Sequence, residues 1–160
     1  MREMTYDRQA AVTYARSWAL RRNPAYYDFQ DIGGDCTNFA SQCIYAGAKI
    51  MNFTPTTGWF YRSASDRTAS WTGVEYLYRF LVGNRSVGPY GNEVELQRIQ
   101  PGDIVQLGTS DGMFYHTPVV LTVTPQILVA AHTNDVVNYP LTSYQYERIR
   151  CIHIAGVRKW

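Results

Sequence analysis

The run Gly33-Gly34-Asp35-Cys36-Thr37-Asn38-Phe39-Ala40-Ser41-Gln42-Cys43 decides how the rest of the chain is read. Two glycines can carry the backbone through a tight turn, because without a Cβ they accept left-handed conformations at no steric cost. The residues that follow, Cys36 to about Ala46, have a helical period. Phe39, Ala40, Cys43 and Ile44 fall on one apolar face, and Gly47 suits the position just past a helix end. Cys36 therefore stands at a helix N-terminus. The positive end of the macrodipole and the unpaired backbone N–H groups there favour a thiolate, and the same N–H groups can hold a negative oxygen. This placement predicts a nucleophilic sulfur beside an oxyanion donor. Cys43, on the apolar face, and Cys151, inside a strand-like run, are expected to pack.

Upstream, residues 7 to 21 (DRQAAVTYARSWALR) form a second helical pattern, with Ala11, Tyr14, Ala15 and Trp18 on one side, Asp7 able to cap the start and Asn23-Pro24 closing it. Downstream, 50 to 70 is irregular and polar, and 72 to 82 (TGVEYLYRFLV) is a short helix with Val74, Leu77, Tyr78 and Leu81 inward. The pattern then turns to strands at 103–107, 117–123, 127–132 and 148–157, separated by turn-rich GTSDG and by Thr124-Pro125-Gln126. Helices first and an antiparallel meander after them predict an α+β domain, 1–160 as one unit.

Composition narrows the function classes. Of the 160 residues, 46% are hydrophobic and 18% charged, which suits a globular core and not a disordered chain. Fifteen Lys and Arg against thirteen Asp and Glu, with no long basic run, argue against a nucleic-acid binder. No apolar stretch is long enough for membrane insertion, and the first residues show no signal-peptide core. Three cysteines without a CxxC or a Cys/His cluster predict neither a disulfide framework nor a metal site, and no cofactor motif is present. The thirteen Tyr, six Phe and four Trp allow an aromatic-walled cleft, for which Tyr26, Tyr27, Trp59, Trp71 and Tyr115 are candidates.

A sulfur nucleophile needs a base, and only three histidines are available. His116 opens a strand next to a turn. His132 ends the following one. A hairpin centred near residue 125 brings 132–134 beside His116, so that His132, Asn134 or Asp135 could orient its ring. His153, among apolar neighbours in the last strand, is expected to be structural. Asp35, adjacent to Cys36, is expected to shape the helix start and to raise the thiol pKa.

The stretches YDRQAAVTYARSWALRRNPAYYDF, GGDCTNFASQCIYAG, SWTGVEYLY, PGDIVQL before His116, and AHTND together resemble the bacterial "Putative amidase domain", over roughly residues 5 to 157. That domain is grouped with the papain-like cell-wall hydrolases of the CHAP and NlpC type. The resemblance implies a papain-like fold, with Cys36 as nucleophile and His116 as base. It aligns His132 with the orienting histidine of NlpC-type relatives and Asn134 with the asparagine of CHAP relatives, whose glutamate is absent here. It implies a cysteine amidase or endopeptidase acting on peptidoglycan or a peptide, and favours the cell envelope. Two further readings are a binding module that lost its chemistry, and an acyl or peptidyl transferase in which an amine replaces water. Oligomeric state is not addressed by the sequence.

Overall fold

The computed structural model covers all 160 residues. In chain order the elements are β1 (Arg2–Met4), α1 (Arg8–Trp18), α2 (Cys36–Ala48), β2 (Tyr61–Ser63), β3 (Asp66–Arg67), α3 (Ala69–Thr72), α4 (Val74–Gly83), β4 (Gly88–Val94), β5 (Ile104–Gly108), β6 (Phe114–His116), β7 (Val119–Thr122), β8 (Leu128–Ala131), β9 (Val136–Pro140) and β10 (Arg148–Lys159). The main sheet is antiparallel throughout, in the order β1-β10-β5-β7-β8-β9, with β4 also on β10 and β6 on β5. The expected α+β layout is therefore what the chain adopts.

Alternation along the strands separates two cores. Ile104, Val119, Leu121, Ile152 and Ile154 face the helices and meet Ala11, Ala15, Phe39, Ile44, Trp59, Trp71 and Leu81. Val105, Leu107, Val120 and Cys151 point to the other face, where Ile99 and Leu141 cover them. Helix α1 begins as expected: the Asp7 carboxylate accepts the Ala10 N–H at 3.0 Å. Helix α2 is buried along nearly its whole length, which explains why its apolar residues wrap around it and do not form a narrow stripe.

The Pro101-Gly102-Asp103 turn is a clamp between layers. The Asp103 carboxylate is fully buried. Its Oδ1 accepts from Arg8 Nη1 at 2.7 Å and from the Ile154 N–H at 2.9 Å. Its Oδ2 accepts from the Gln100 N–H at 2.9 Å and lies 2.9 Å from His153 Nδ1. Tyr6 donates its hydroxyl to the Gly102 carbonyl at 2.8 Å. His153 thus has the structural partner expected of it, and the start of α1 is fixed to β10 and the β5 turn.

Two local readings differ from the structure. Gly47 lies inside α2, and the left-handed residue at the helix end is Lys49, at φ 62°. Gly47 is small for a packing reason. A Cβ there would sit 2.6 Å from Tyr6 Cε1 and 2.7 Å from the Asp7 carbonyl oxygen. The strand expected over 117–123 begins at Val119, and the chain before it forms a separate strand, β6, paired with β5. Pro118 lacks the N–H that an unbroken ladder would need.

Gly47→Ala tests the close approach. Helix propensity alone would favour alanine by about 1 kcal/mol. Overpacking costs about 1–3 kcal/mol and is expected to win, because backbone as well as a ring must give way. Urea unfolding should show a lower midpoint at unchanged slope; a raised midpoint would mean that the approach is soft.

Candidate active site

Gly33 and Gly34 take φ of +83° and +94°, the left-handed turn expected before the helix. The turn delivers Asp35 into the interior, where it is fully buried at the N-cap of α2. Its carboxylate makes no capping bond to the helix. Instead Oδ1 accepts the Phe29 N–H at 2.8 Å and the Asn38 amide at 2.9 Å, while Oδ2 lies 2.5 Å from His132 Nδ1 and 3.7 Å from Arg22 Nε. The first N–H groups of α2 are therefore left without a side-chain cap, which keeps them available to a negative atom at the helix mouth.

Cys36 follows, 8% exposed. Its sulfur lies 3.8 Å from Thr37 Oγ1 and 4.0 Å from the Tyr115 carbonyl oxygen. The sulfur also faces the backbone N–H groups of Thr37 and Thr117. It thus rests against the main chain on both sides of His116. Hydroxyls pin this arrangement: Thr37 Oγ1 is 3.1 Å from Thr117 Oγ1, which receives a bond from Gln106 Nε2 at 3.4 Å. Burial pushes the Cys36 thiol up. The Thr37 and Thr117 donors work against that rise, and the Asp35 charge adds to it. The expected thiolate at rest is corrected by this balance, since a sulfur deprived of water gains less from the helix terminus than its anion loses in hydration. The expected effect of Asp35 has the predicted sign.

His116 is 7% exposed, and burial alone lowers its pKa to about 4. Its Nε2 lies 3.4 Å from the Tyr144 hydroxyl, and the two rings meet edge to face at 5.4 Å. The His116 ring and the Cys36 sulfur share no hydrogen bond in this state. Burial thus disfavours the charged form of both groups, raising the Cys36 thiol and lowering the His116 imidazole.

The remaining candidates lie elsewhere. The hairpin register is close to the expected one: Val119 pairs with Ala130 and Val120 with Val129. But β8 stops at Ala131, and Thr133 turns the chain at φ 55°. His132 points into the helix layer. Its Nδ1 faces Asp35, its Nε2 lies 2.8 Å from the Trp18 carbonyl, and its ring stacks on Phe39 at 4.1 Å. With a partner at each nitrogen, the His132 ring has no free nitrogen left for His116. Asn134 is exposed in the turn, and Asp135 is held by Arg22 Nη1 at 2.7 Å. Of the five aromatic residues considered for a cleft wall, Trp59 and Trp71 are fully buried core, Tyr26 is stacked on Trp71, and Tyr27 and Tyr115 are exposed. Tyr27 borders the site through its carbonyl, which accepts from Asn38 at 2.9 Å. A hollow of about 350 Å³ among Asn52, Arg79, Phe80 and Arg85 contains none of the candidate catalytic side chains. No group of three or more His, Cys, Asp or Glu is placed to hold a metal ion.

Tyr144 is the neighbour that the sequence did not reveal. It follows the 3-10 turn Leu141–Ser143 between β9 and β10, a segment whose only sequence marks are polar residues and spaced tyrosines.

Removing the His132 ring would leave the Asp35 carboxylate buried beside the sulfur without its closest partner. His132→Ala is expected to destabilise the fold by about 3–5 kcal/mol, measured by urea unfolding near neutral pH. A loss below 1 kcal/mol would show that Asp35 is satisfied without it.

His116 gives a pH signature. Its folded pKa lies below the unfolded one, so protonation favours unfolding. The stability it contributes is present above about pH 6.5 and is lost as pH falls toward 4, by about 3 kcal/mol in all. Unfolding free energies of the unaltered protein and of His116→Asn, compared at intervals from pH 7 to 4, should therefore converge or cross by that amount. A constant difference would place His116 in water.

Residues 5–155 match the family model described as "Putative amidase domain". The chain is similar to "Uncharacterized protein YhbB" of Bacillus subtilis (strain 168), 36% identical over 124 residues. The alignment covers 75% of this chain and 38% of that relative's length. No solved structure matches. No helix is long and apolar enough to cross a membrane. On the family match across nearly its whole length, the chain belongs to the "Putative amidase domain" family.

Proposed function

We propose that this protein is a cysteine amidohydrolase of papain-like architecture, akin to the CHAP and NlpC enzymes, that cuts an amide bond of bacterial peptidoglycan at the cell envelope. The observation that carries this reading is the seat of Cys36: a sulfur at an uncapped helix N-terminus, resting against the main chain on both sides of a buried histidine. Family membership supports amide hydrolysis.

The residues divide the work as follows. The substrate carbonyl enters between the exposed rings of Tyr27 and Tyr115, and its oxygen turns toward the first N–H groups of α2. As Cys36 Sγ attacks the carbonyl carbon, its proton passes to the His116 imidazole, so that charge separates only when the oxyanion is there to be stabilised. His116 then returns the proton to the departing amine, leaving a thioester on Cys36. Water attacks that thioester, with His116 taking its proton, and the acid product leaves with the thiol restored. A neutral thiol–imidazole pair suits this sequence, because neither group must be charged inside a nearly closed site before substrate arrives. Neither a metal nor an organic cofactor enters any step.

Digestion of purified peptidoglycan with mass analysis of the fragments tests the reading. The unaltered protein should release fragments with new amine and carboxyl ends. Cys36→Ala and Cys36→Ser should lower the rate by at least about a thousandfold, with unfolding midpoints little changed. Undiminished cleavage by Cys36→Ala would remove the sulfur from the mechanism.

A further inference from the structure

We infer that the Tyr144 hydroxyl is the group that orients His116: it is a positioning residue, taking the place that His132 and Asn134 were expected to fill. This rests on the proposed cysteine amidase reading, in which His116 is the base.

The geometry is specific to one nitrogen. Tyr144 Oη lies 3.4 Å from His116 Nε2, a long contact of the kind that tightens when substrate closes a site. The edge-to-face contact of the rings, at 65°, limits how far the imidazole can swing. No charged side chain shifts the His116 ring, whose pKa burial lowers in the absence of substrate. The three residues that sequence spacing offered are spoken for: His132 between Asp35 and the Trp18 carbonyl, Asp135 on Arg22, and Asn134 out in the turn.

Tyr144 is itself held. Its N–H bonds to the Leu141 carbonyl at 3.2 Å, the Leu141 N–H to Ile127 at 3.0 Å, and the Glu147 N–H to Gly108 at 3.0 Å. The segment is thus tied to the sheet before and after the tyrosine. The Tyr139 ring packs edge-on against Tyr144 at 4.9 Å. From the other side of the site, Tyr115 donates its hydroxyl to the Gln145 carbonyl at 3.3 Å.

The chemistry follows from the donor inventory. Burial keeps the Tyr144 hydroxyl protonated, with the neighbouring tyrosine and the Cys36 sulfur raising it further, so it acts as a dipole and never as an anion. When Oη accepts from Nε2–H, the neutral ring carries its proton on Nε2 and leaves Nδ1 bare to take the thiol proton. Once His116 is an imidazolium, the same oxygen still accepts from Nε2–H. The hydroxyl thereby selects the useful tautomer and gives modest support to the charged form, without the full charge that a carboxylate would bring.

Tyr144→Phe is the test, since it keeps the ring packing and deletes one oxygen. Imidazole nitrogen NMR of His116, recorded on Cys36→Ala with and without Tyr144→Phe so that no turnover interferes, should show an Nε2–H tautomer that becomes mixed when the hydroxyl is gone. In the active protein, Tyr144→Phe should lower kcat by about 10- to 100-fold with KM within about twofold, and move the acid limb of the rate profile to lower pH. Unmoved tautomer and acid limb would overturn the inference, even if the rate fell. If the unaltered protein cuts no amide, the amidase reading fails, and the tautomer measurement still decides whether Tyr144 holds His116.

Discussion

The position of the sulfur depends on the burial of one carboxylate. Asp35 has no exposure to water, and a carboxylate in that place survives only if donors replace its hydration. Its hydrogen-bond partners come from three parts of the chain, the Phe29 N–H in the preceding loop, the Asn38 amide in α2 and the His132 ring after β8, and the Arg22 charge beyond α1 lies 3.7 Å away. Satisfying one charge therefore brings loop, helix and sheet together and fixes where α2 begins. Cys36, the next residue, has no freedom of its own. Asp103 does the same at another junction, where Arg8, His153 and two backbone N–H groups converge on one carboxylate and join α1 to the sheet. Two buried carboxylates thus position the helix layer on the strands, and apolar contacts fill the space between.

Under the proposed reading, this arrangement separates electrostatic support from catalysis. The carboxylate beside the sulfur would oppose a thiolate, and His132 is placed to face that charge. A histidine committed to Asp35 and to the Trp18 carbonyl cannot also serve His116. His116, the proposed base, is left in an apolar setting with the Tyr144 hydroxyl for company, and burial disfavours its charged form. In the proposed mechanism, reactivity is created by the substrate, whose developing oxyanion at the helix mouth makes charge separation worthwhile. Low exposure at Cys36 and His116 is consistent with that economy, because a pair with no resting charge loses little by being shut away from water.

Much of this was legible in the sequence, and the reasons are local. The Gly33-Gly34 turn, the apolar face of α2, the Asp7 cap and the runs that became β5, β8 and β10 all depend on spacing within a few residues. So does the hairpin register, which departs from the expected centre by less than a residue at Val119–Ala130. The sequence was silent where the outcome depends on contacts distant in the chain. Gly47 looks like a helix stop, yet its size is set by Tyr6, forty-one residues earlier. Strand β4, with two glycines and a proline, has no alternation of its own and exists because β10 offers it a ladder. Asp35 was read as a local influence on the thiol, but its partner His132 is ninety-seven residues away.

The histidine that ends β6 and the one that follows β8 show how the site diverges from its sequence pattern. Hairpin spacing predicts that residues 116 and 132–134 share one end of the sheet, and the register of β7 on β8 is close to the one this needs. What spacing does not decide is where each ring turns. His116 belongs to a strand that pairs with β5, broken from β7 at Pro118. His132 lies one residue past the end of β8, where the buried carboxylate draws it toward the helices. A short chain segment between β9 and β10 then reaches the vacated side of the base with a tyrosine. Because Tyr144 supplies a hydroxyl and no charge, it would take the inferred orienting role without creating a second buried anion near Cys36. A glutamate in that place would stabilise the imidazolium more strongly, but beside Asp35 it would burden the thiol further. The uncharged partner suits the proposed nucleophile, which already has one carboxylate as its neighbour.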